Sequence, residues 1–376
     1  MPNFDHQLTA YSYDLPEKLI AQNPVIPRDS AKLLAVTGKA QHQHCYFRDL
    51  VDLLLPDDLL VINNTRVIPA RLFGRKQTGG LSPNNSQAEG SSLGAVVEVL
   101  LIEPLDEDRW LALVKPGRRL QPGASIVFDD PTGRTKSPLM TALIESRDEA
   151  TNGRILRLMP LKNRSIEDVI YQLGEVPLPP YITRSKSLPE QYQTVFARQQ
   201  GAIAAPTAGL HFTDRLLAQL LQKGIQTAEV TLHVGIGTFR PVEVNDIETH
   251  QMHQERIEVP EDTVKKIRQT KAKGGRVIAV GTTSTRALEG VAAICGELQP
   301  YNGRTDLFIY PGYKWQVIDG MITNFHLPGS SLLMMVSALI GRQRLMDLYE
   351  EAIAQQYRFY SFGDAMLILP EATLKD

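Results

Sequence analysis

Residues 264–293 read VKKIRQTKAKGGRVIAVGTTSTRALEGVAA. The first part, 264–273, is a basic surface helix closed by Gly274 and Gly275. Residues 276–280, RVIAV, form an apolar, partly β-branched run of strand length. Gly281-Thr282-Thr283-Ser284 then turns into a second helix through Ala293. Helix, strand and helix in succession predict an α/β domain with a partly parallel sheet. Upstream, Thr213 is suited to cap the helix DRLLAQLLQKG, with Leu216, Leu217, Leu220 and Leu221 on one face and Gly224 as the stop. A strand over 227–234 follows it. Downstream, 344–355 reads as a helix that buries Leu345, Leu348, Tyr349, Ala352 and Ile353.

The opening third has a different character. Residues 59–62, 96–102, 110–114, 125–128, 140–145 and 154–159 are short apolar or β-branched runs bounded by Pro, Gly and Asp. Strands without intervening helices predict a small barrel or sandwich over 66–155. Inside it, 77–94 (QTGGLSPNNSQAEGSSLG) is too polar to bury surface and reads as a flexible hairpin loop. From Ser165, SIEDVIYQL is a short helix ending at Gly174, and the prolines at 177, 179 and 180 force the chain extended after it. The expected architecture is a mixed-sheet α/β catalytic domain, 1–65 plus 156–376, interrupted by an inserted β-barrel domain, 66–155.

Composition narrows the function. The chain has 376 residues, 40 Lys plus Arg against 42 Asp plus Glu, and a formal charge of −2, which excludes a histone-like basic protein. With 43% hydrophobic and 22% charged residues it is a globular chain with ample core. Two cysteines, Cys45 and Cys295, supply neither a disulfide framework nor a four-thiolate zinc site. No signal peptide is visible at the start, and the longest apolar run, 332–340, is far short of the roughly 20 residues of a membrane helix. The expectation is a cytoplasmic protein, and with no heptad or interface helix visible, a monomer.

Five of the eight histidines fall in turns of the second half. His211 follows the small-residue loop Ala204-Ala205-Pro206-Thr207-Ala208-Gly209-Leu210, where backbone amides can approach a ligand, or where a tight turn is simply capped. His233 sits before Gly235 and Gly237, a GxG that lacks the rest of a dinucleotide fingerprint; a hydrogen-bonded core histidine is the other reading. His250, His253 and Glu255 suit acid/base chemistry, whereas their spacing differs from that of a metalloprotease helix. Thr282, Thr283 and Arg286 open a helix after a buried strand, a place where α/β sheets bind ligands and also where an ordinary cap would lie. His326 stands between a strand and a helix start. Five such turns in one domain predict a single convergent pocket. Arg66, Arg71, Lys76, Lys115, Arg118 and Arg119 either track a phosphate backbone or are solvated surface charge.

These motifs, in this order, resemble the S-adenosylmethionine:tRNA ribosyltransferase-isomerases of queuosine biosynthesis. The likeness runs through YDLPEKLIAQNP (13–24), INNTRVIPARL (62–72), KPGRRL (115–120), YQTVFA (192–197), AAPTAGLHFT (204–213) and TLHVGIGTFRPV (231–242). It continues in HQMHQE (250–255), VGTTSTRALE (280–289), FIYPGY (308–313), TNFHLP (323–328) and YRFYSFGDAM (357–366). Lys32 stands where the family usually has arginine, Ser331 where it usually has threonine, and 77–94 is longer than the usual connection. The resemblance implies a β-barrel inserted in an α/β domain. It also implies transfer and isomerisation of the ribosyl moiety of S-adenosylmethionine onto the aminomethyl group of a 7-deazaguanine at the tRNA wobble position. The products would be epoxyqueuosine-tRNA, adenine and methionine. No metal is expected. His250, His253 and Glu255 are the candidates for proton transfer, with His211 and His326 nearby. Thr207, Gly209, His233, Gly235, Thr282, Thr283 and Arg286 are those for S-adenosylmethionine, and the six basic residues those for tRNA. The competing classes are a non-catalytic tRNA-binding module and a His/Glu metal-dependent hydrolase.

Overall fold

The computed structural model describes residues 4–77, 93–133, 137–161, 163–235 and 242–374. They form two units, Met1–Arg66 with Leu178–Asp376, and Val67–Pro177. The first begins with β1 (Lys32–Val36), β2 (His42–Tyr46), the short helix α1 (Leu50–Leu53) and β3 (Leu59–Asn63), and reaches its edge in β4 (Thr65–Val67).

The second unit contains β5 (Arg71–Gln77), β6 (Leu93–Pro104), β7 (Arg109–Lys115), β8 (Ser125–Phe128), β9 (Met140–Arg147), β10 (Arg154–Pro160) and helix α2 (Ile166–Leu173). The strands close into an antiparallel barrel in the order β10-β7-β6-β5-β8-β9. Alternate residues fill it, among them Leu72, Val97, Val99, Ala112, Ile126, Phe128, Ala142, Ile144 and Leu156. Gly74 allows the β5–β8 approach, since a Cβ there would lie 2.7 Å from Ile126 Cγ2 and 2.8 Å from the Val127 carbonyl oxygen. Ser165 caps α2 by accepting from the Asp168 N–H at 3.0 Å. The unit reaches beyond residue 155 because β10 ends at Pro160 and α2 packs on β5 and β10. Of the loop read at 77–94, Gln77 ends β5 and Leu93-Gly94 open β6, while 78–92 lie outside the described residues.

Back in the first unit come β11 (Gln199–Ala202), α3 (Asp214–Gln222), β12 (Gln226–Leu232), β13 (Glu255–Val259), α4 (Glu261–Ala272), β14 (Val277–Val280) and α5 (Gly281–Cys295). Then follow β15 (Tyr301–Thr305), β16 (Gly320–Asn324), α6 (Ser331–Ile340), α7 (Arg342–Ala354) and β17 (Ala365–Ile368). A nine-stranded sheet runs in the order β15-β13-β12-β3-β14-β16-β17-β1-β2. β12, β3, β14 and β16 are mutually parallel, as are β17 and β1; the remaining neighbours are antiparallel.

β14 (VIAV) and β17 (AMLI) are apolar throughout because both faces of the sheet are covered there. Successive side chains alternate: Val277 and Ala279 join Leu288, Val291, Leu333 and Leu345 from α5, α6 and α7. Ile278 and Val280 join Leu50, Leu216 and Leu220 from α1 and α3. The apolar run 332–340 thus lies in α6, whose residues 333–340 are buried. Thr213 caps α3, accepting from the Leu216 N–H at 3.1 Å. Leu221, read from the sequence as part of that helix's buried face, is instead 65% exposed, because it lies some 140° around the helix from Leu216.

Candidate active site

The parallel strands β3, β12, β14 and β16 end on one side of the sheet, and there a cleft opens in the first unit. Its lining includes Ala205, Pro206 and Thr207 from the loop before His211, Val234 beyond β12, and Gly281, Thr282 and Thr283 at the start of α5. Thr323, Asn324 and His326 come from the end of β16, and Tyr181, Tyr360 and Ser361 complete the wall. Gly281 makes the turn from β14 into α5 at φ +88°, a conformation L side chains adopt at a cost. The Thr283 hydroxyl is buried without a hydrogen-bond partner, a polar group left for a ligand.

Asn324 organises this end of the sheet. Its Nδ2 donates to the Tyr360 carbonyl oxygen at 3.3 Å, its Oδ1 accepts from the Thr207 hydroxyl at 2.9 Å, and Nδ2 also reaches His211 Nε2 at 3.2 Å. Two acceptors on Nδ2 fix the amide orientation, so His211 Nε2 accepts and the imidazole proton sits on Nδ1. The His211 ring is stacked on Phe47 with centroids 4.9 Å apart. Burial, with the Arg28 and Arg358 charges, pushes its pKa down to about 3. His326 Nε2 pairs with the Thr323 hydroxyl at 2.7 Å, and burial takes its pKa to about 3 as well. Both imidazoles are therefore neutral near pH 7. Gly209, two residues before His211, packs against Thr194 and Phe196 rather than lining the cleft.

Beyond β12, His233 Nδ1 pairs with the Thr65 hydroxyl at 2.8 Å, and burial with the Arg256 charge lowers its pKa to about 4. The Gly235 N–H donates to the Glu255 carboxylate at 3.2 Å. Gly237 and Arg240 of the same motif lie outside the described residues. Glu255 is buried and forms an ion pair with Arg286 of α5, whose Nε donates to the Leu307 carbonyl oxygen at 3.3 Å. The structure thus pairs these two charges, a partnership that sequence alone does not show, and leaves Arg286 Nη2 buried without a hydrogen-bond partner. Neither is among the cleft's lining residues. His250 precedes β13 with its ring edge against Phe308, centroids 5.2 Å apart, and burial with the neighbouring His253 lowers its pKa. Since β13 runs antiparallel to β12, His250, His253 and Glu255 approach the sheet at the end where β12 stops. Among the described residues they do not converge on one ion position.

The barrel cations divide. Arg71 is met by Glu98 at 3.2 Å, whereas Lys115, Arg118 and Arg119 are exposed, and Lys76 Nζ donates to the Arg119 carbonyl oxygen at 2.7 Å. Arg66, in the first unit, is exposed. Sequence reading also missed Tyr181, Asn324 and Tyr360. Asn324 and Tyr360 lie inside quoted motifs, but only the fold brings them to His211 and Thr207. Tyr360 has φ +71°, a strained backbone for a bulky residue, and its ring leans on Tyr181 at 4.8 Å.

A mixed α/β unit that gathers hydroxyls and neutral histidines at its strand ends, with an antiparallel barrel inserted, defines an α/β protein with a candidate ligand cleft at the carboxyl ends of its parallel strands. Residues 8–368 match the family model described as queuosine biosynthesis protein, and the chain belongs to that family. It is 60% identical to the S-adenosylmethionine:tRNA ribosyltransferase-isomerase of Acaryochloris marina, covering 100% of this chain and 97% of that one. It is 57% identical to the protein of the same name from Synechococcus elongatus, over 98% of each. A crystal structure of an S-adenosylmethionine tRNA ribosyltransferase from Thermotoga maritima is 38% identical, with a TM-score of 0.52 over 96% of this chain and 100% of that one.

Proposed function

We propose that the chain is an S-adenosylmethionine:tRNA ribosyltransferase-isomerase of queuosine biosynthesis. It transfers and isomerises the ribosyl moiety of S-adenosylmethionine onto the aminomethyl group of 7-aminomethyl-7-deazaguanine at the tRNA wobble position. Epoxyqueuosine-tRNA, adenine and methionine are the products. The observation that carries this reading is full-length identity at 60% to a protein of that name, joined to a cleft at the strand ends lined by hydroxyls and His326. No described helix is long and apolar enough to cross a membrane. The proposed enzyme works on tRNA in the cytoplasm as a single chain.

The sulfonium of the substrate supplies an acidified ribose C–H and, in methionine, a leaving group. The chain's residues do the rest. Thr282, the unpartnered Thr283 hydroxyl and the N-terminal turn of α5 hold the methionine carboxylate. Tyr181 and Tyr360 form an aromatic corner that receives the adenine ring. Asn324 fixes Thr207 and the neutral His211, so His211 orients rather than donates a charged proton. His250, His253 and neutral His326 move protons: one takes the C–H proton, and a protonated partner delivers one to departing adenine. The acceptor amine attacks in its neutral form, and methionine leaves with the C–S bonding pair as the epoxide closes. Val234, between His233 and Gly235, lines the cleft, with Glu255 and Arg286 holding β13 and α5 in place. Lys76, Lys115, Arg118, Arg119 and Arg66 meet the tRNA backbone, while Arg71 is engaged by Glu98.

Incubation with S-adenosylmethionine and tRNA bearing the aminomethyl-deazaguanine base tests the reading. Adenine and methionine are released together and the tRNA gains the ribosyl-derived mass; a folded sample that binds tRNA but releases neither leaves the non-catalytic module as the function. In the same assay Tyr360→Leu raises KM for S-adenosylmethionine about tenfold, as loss of one stacking partner requires. An unchanged KM removes the aromatic corner from the site. Replacing Arg118 and Arg119 by alanine weakens tRNA binding and lowers the log–log salt slope by about 1.5, near the value for two lost phosphate contacts. An unaltered slope takes this turn off the tRNA path.

A further inference from the structure

The edge strand β2 carries the sequence His42-Gln43-His44, and a strand's alternation sets both imidazoles on one face. Glu351 of α7 reaches between them. Its carboxylate lies 3.0 Å from His42 Nε2 and 2.8 Å from His44 Nε2. The three side chains are 21%, 38% and 36% exposed, so an ion arriving from solvent meets them directly. None of them lines the cleft at the strand ends.

We propose that His42, His44 and Glu351 bind a divalent transition-metal ion of the zinc type, with water completing its shell. Two nitrogens and one carboxylate oxygen are a ligand set that zinc accepts and magnesium does not favour. Donor atoms around a tetrahedral zinc stand about 3.3 Å apart for bonds near 2.05 Å. The observed carboxylate–imidazole distances need open only by a few tenths of an ångström to admit the ion. The far nitrogens make opposite contributions. His44 Nδ1 lies 2.7 Å from the Tyr357 hydroxyl, the outer hydrogen bond that orients a ligating imidazole. His42 Nδ1 accepts from Arg344 Nη2 at 3.0 Å, which holds its proton on Nε2, the atom the ion needs. Metal binding therefore moves that proton and turns Arg344 aside. The Lys32 ammonium, 4.9 Å from the Tyr357 ring centroid, is a second nearby cation. Cys45 is not a ligand: its thiol faces away and donates to the Leu33 carbonyl oxygen at 3.3 Å. A bound ion would pin β2 to α7, and no step of the reaction passes through it.

Equilibrium dialysis of the tag-free full chain against zinc(II), followed by metal analysis, tests this. One ion binds per chain, magnesium does not compete, and the metal raises the melting temperature. The His42→Ala/His44→Ala pair weakens binding at least 100-fold, with folding verified by circular dichroism. Arg344→Ala tightens it about tenfold, in the range by which outer-shell partners act on metal affinity. Absence of uptake, or equal uptake by the double variant (an ion held elsewhere), overturns the proposal. So does an Arg344→Ala variant that binds no more tightly. Glu351→Gln, which keeps size and shape, provides a second variant should the histidine pair fail to fold; undiminished binding by it also overturns the site.

Discussion

Arg286→Met lowers the unfolding free energy by about 3–5 kcal/mol, read as a shift of the urea midpoint. Arg286 and Glu255 are 5% and 4% exposed in their side chains and meet across the gap between α5 and the start of β13. Removing Arg286 leaves the buried Glu255 carboxylate with the Gly235 N–H but without its counter-charge, which costs far more than the pair itself contributes. The companion double variant, Arg286→Met with Glu255→Leu, therefore recovers more than half of the loss, since it removes both charges at once. This separates the structural reading from a ligand-binding one. Were Arg286 held for a substrate carboxylate, its replacement would abolish S-adenosylmethionine binding while leaving the midpoint in place. That outcome would sink the ion-pair account and restore the expectation drawn from the GTTSTR turn. Loss of stability in the single variant, largely repaired in the double, shows that the charge on α5 serves β13.

What a sequence discloses depends on how local the signal is. The α/β alternation was legible at 276–280 because both faces of β14 are buried, leaving an unbroken apolar run. The caps at Ser165 and Thr213 were legible because a cap is a local hydrogen bond. The barrel's strands were visible through the same local punctuation by Pro, Gly and Asp. The sheet's borders were not. β2 (HQHCY) and β15 (YNGRT) are polar edge strands whose exposed positions carry no hydrophobic period. The site divides in the same way. That histidines and threonines gather at turns could be read directly, since each turn is contiguous. Which group each side chain serves could not: Asn324 reaches His211 across 113 positions and Arg286 reaches Glu255 across 31. A charge beside a Gly/Thr turn looks the same in sequence whether its partner is a ligand or a strand brought over by the fold.

Unfolding free energy falls by about 4 kcal/mol between pH 7.5 and pH 5.0 through His211 and His326 alone. Each has an ordinary value of 6.5 and is pushed by burial to about 3. The sign follows from proton counts. Between those two values the unfolded chain binds a proton at each histidine and the folded chain does not, so acid draws the equilibrium toward the unfolded state. Stability from these groups is complete above pH 6.5 and is lost as pH falls toward 3. At pH 5.0 the loss is about 2 kcal/mol for each imidazole. His233, lowered to about 4, adds in the same direction. Against a typical total of about 5–15 kcal/mol, that is a large share. Urea titrations at the two pH values measure it, and His211→Asn or His326→Gln each flatten the dependence by about half, because an amide takes no proton in this range. The same burial has a consequence for rate. Neither imidazole becomes cationic as pH drops from 7 to 5, so an acidic limb of kcat in that window belongs to another group, and His326→Gln lowers kcat without moving the limb. Equal stability at pH 5.0 and 7.5 would mean that both rings reach solvent in the folded chain. A limb that shifts with His326→Gln would make His326 the titrating group, against the burial that holds it neutral.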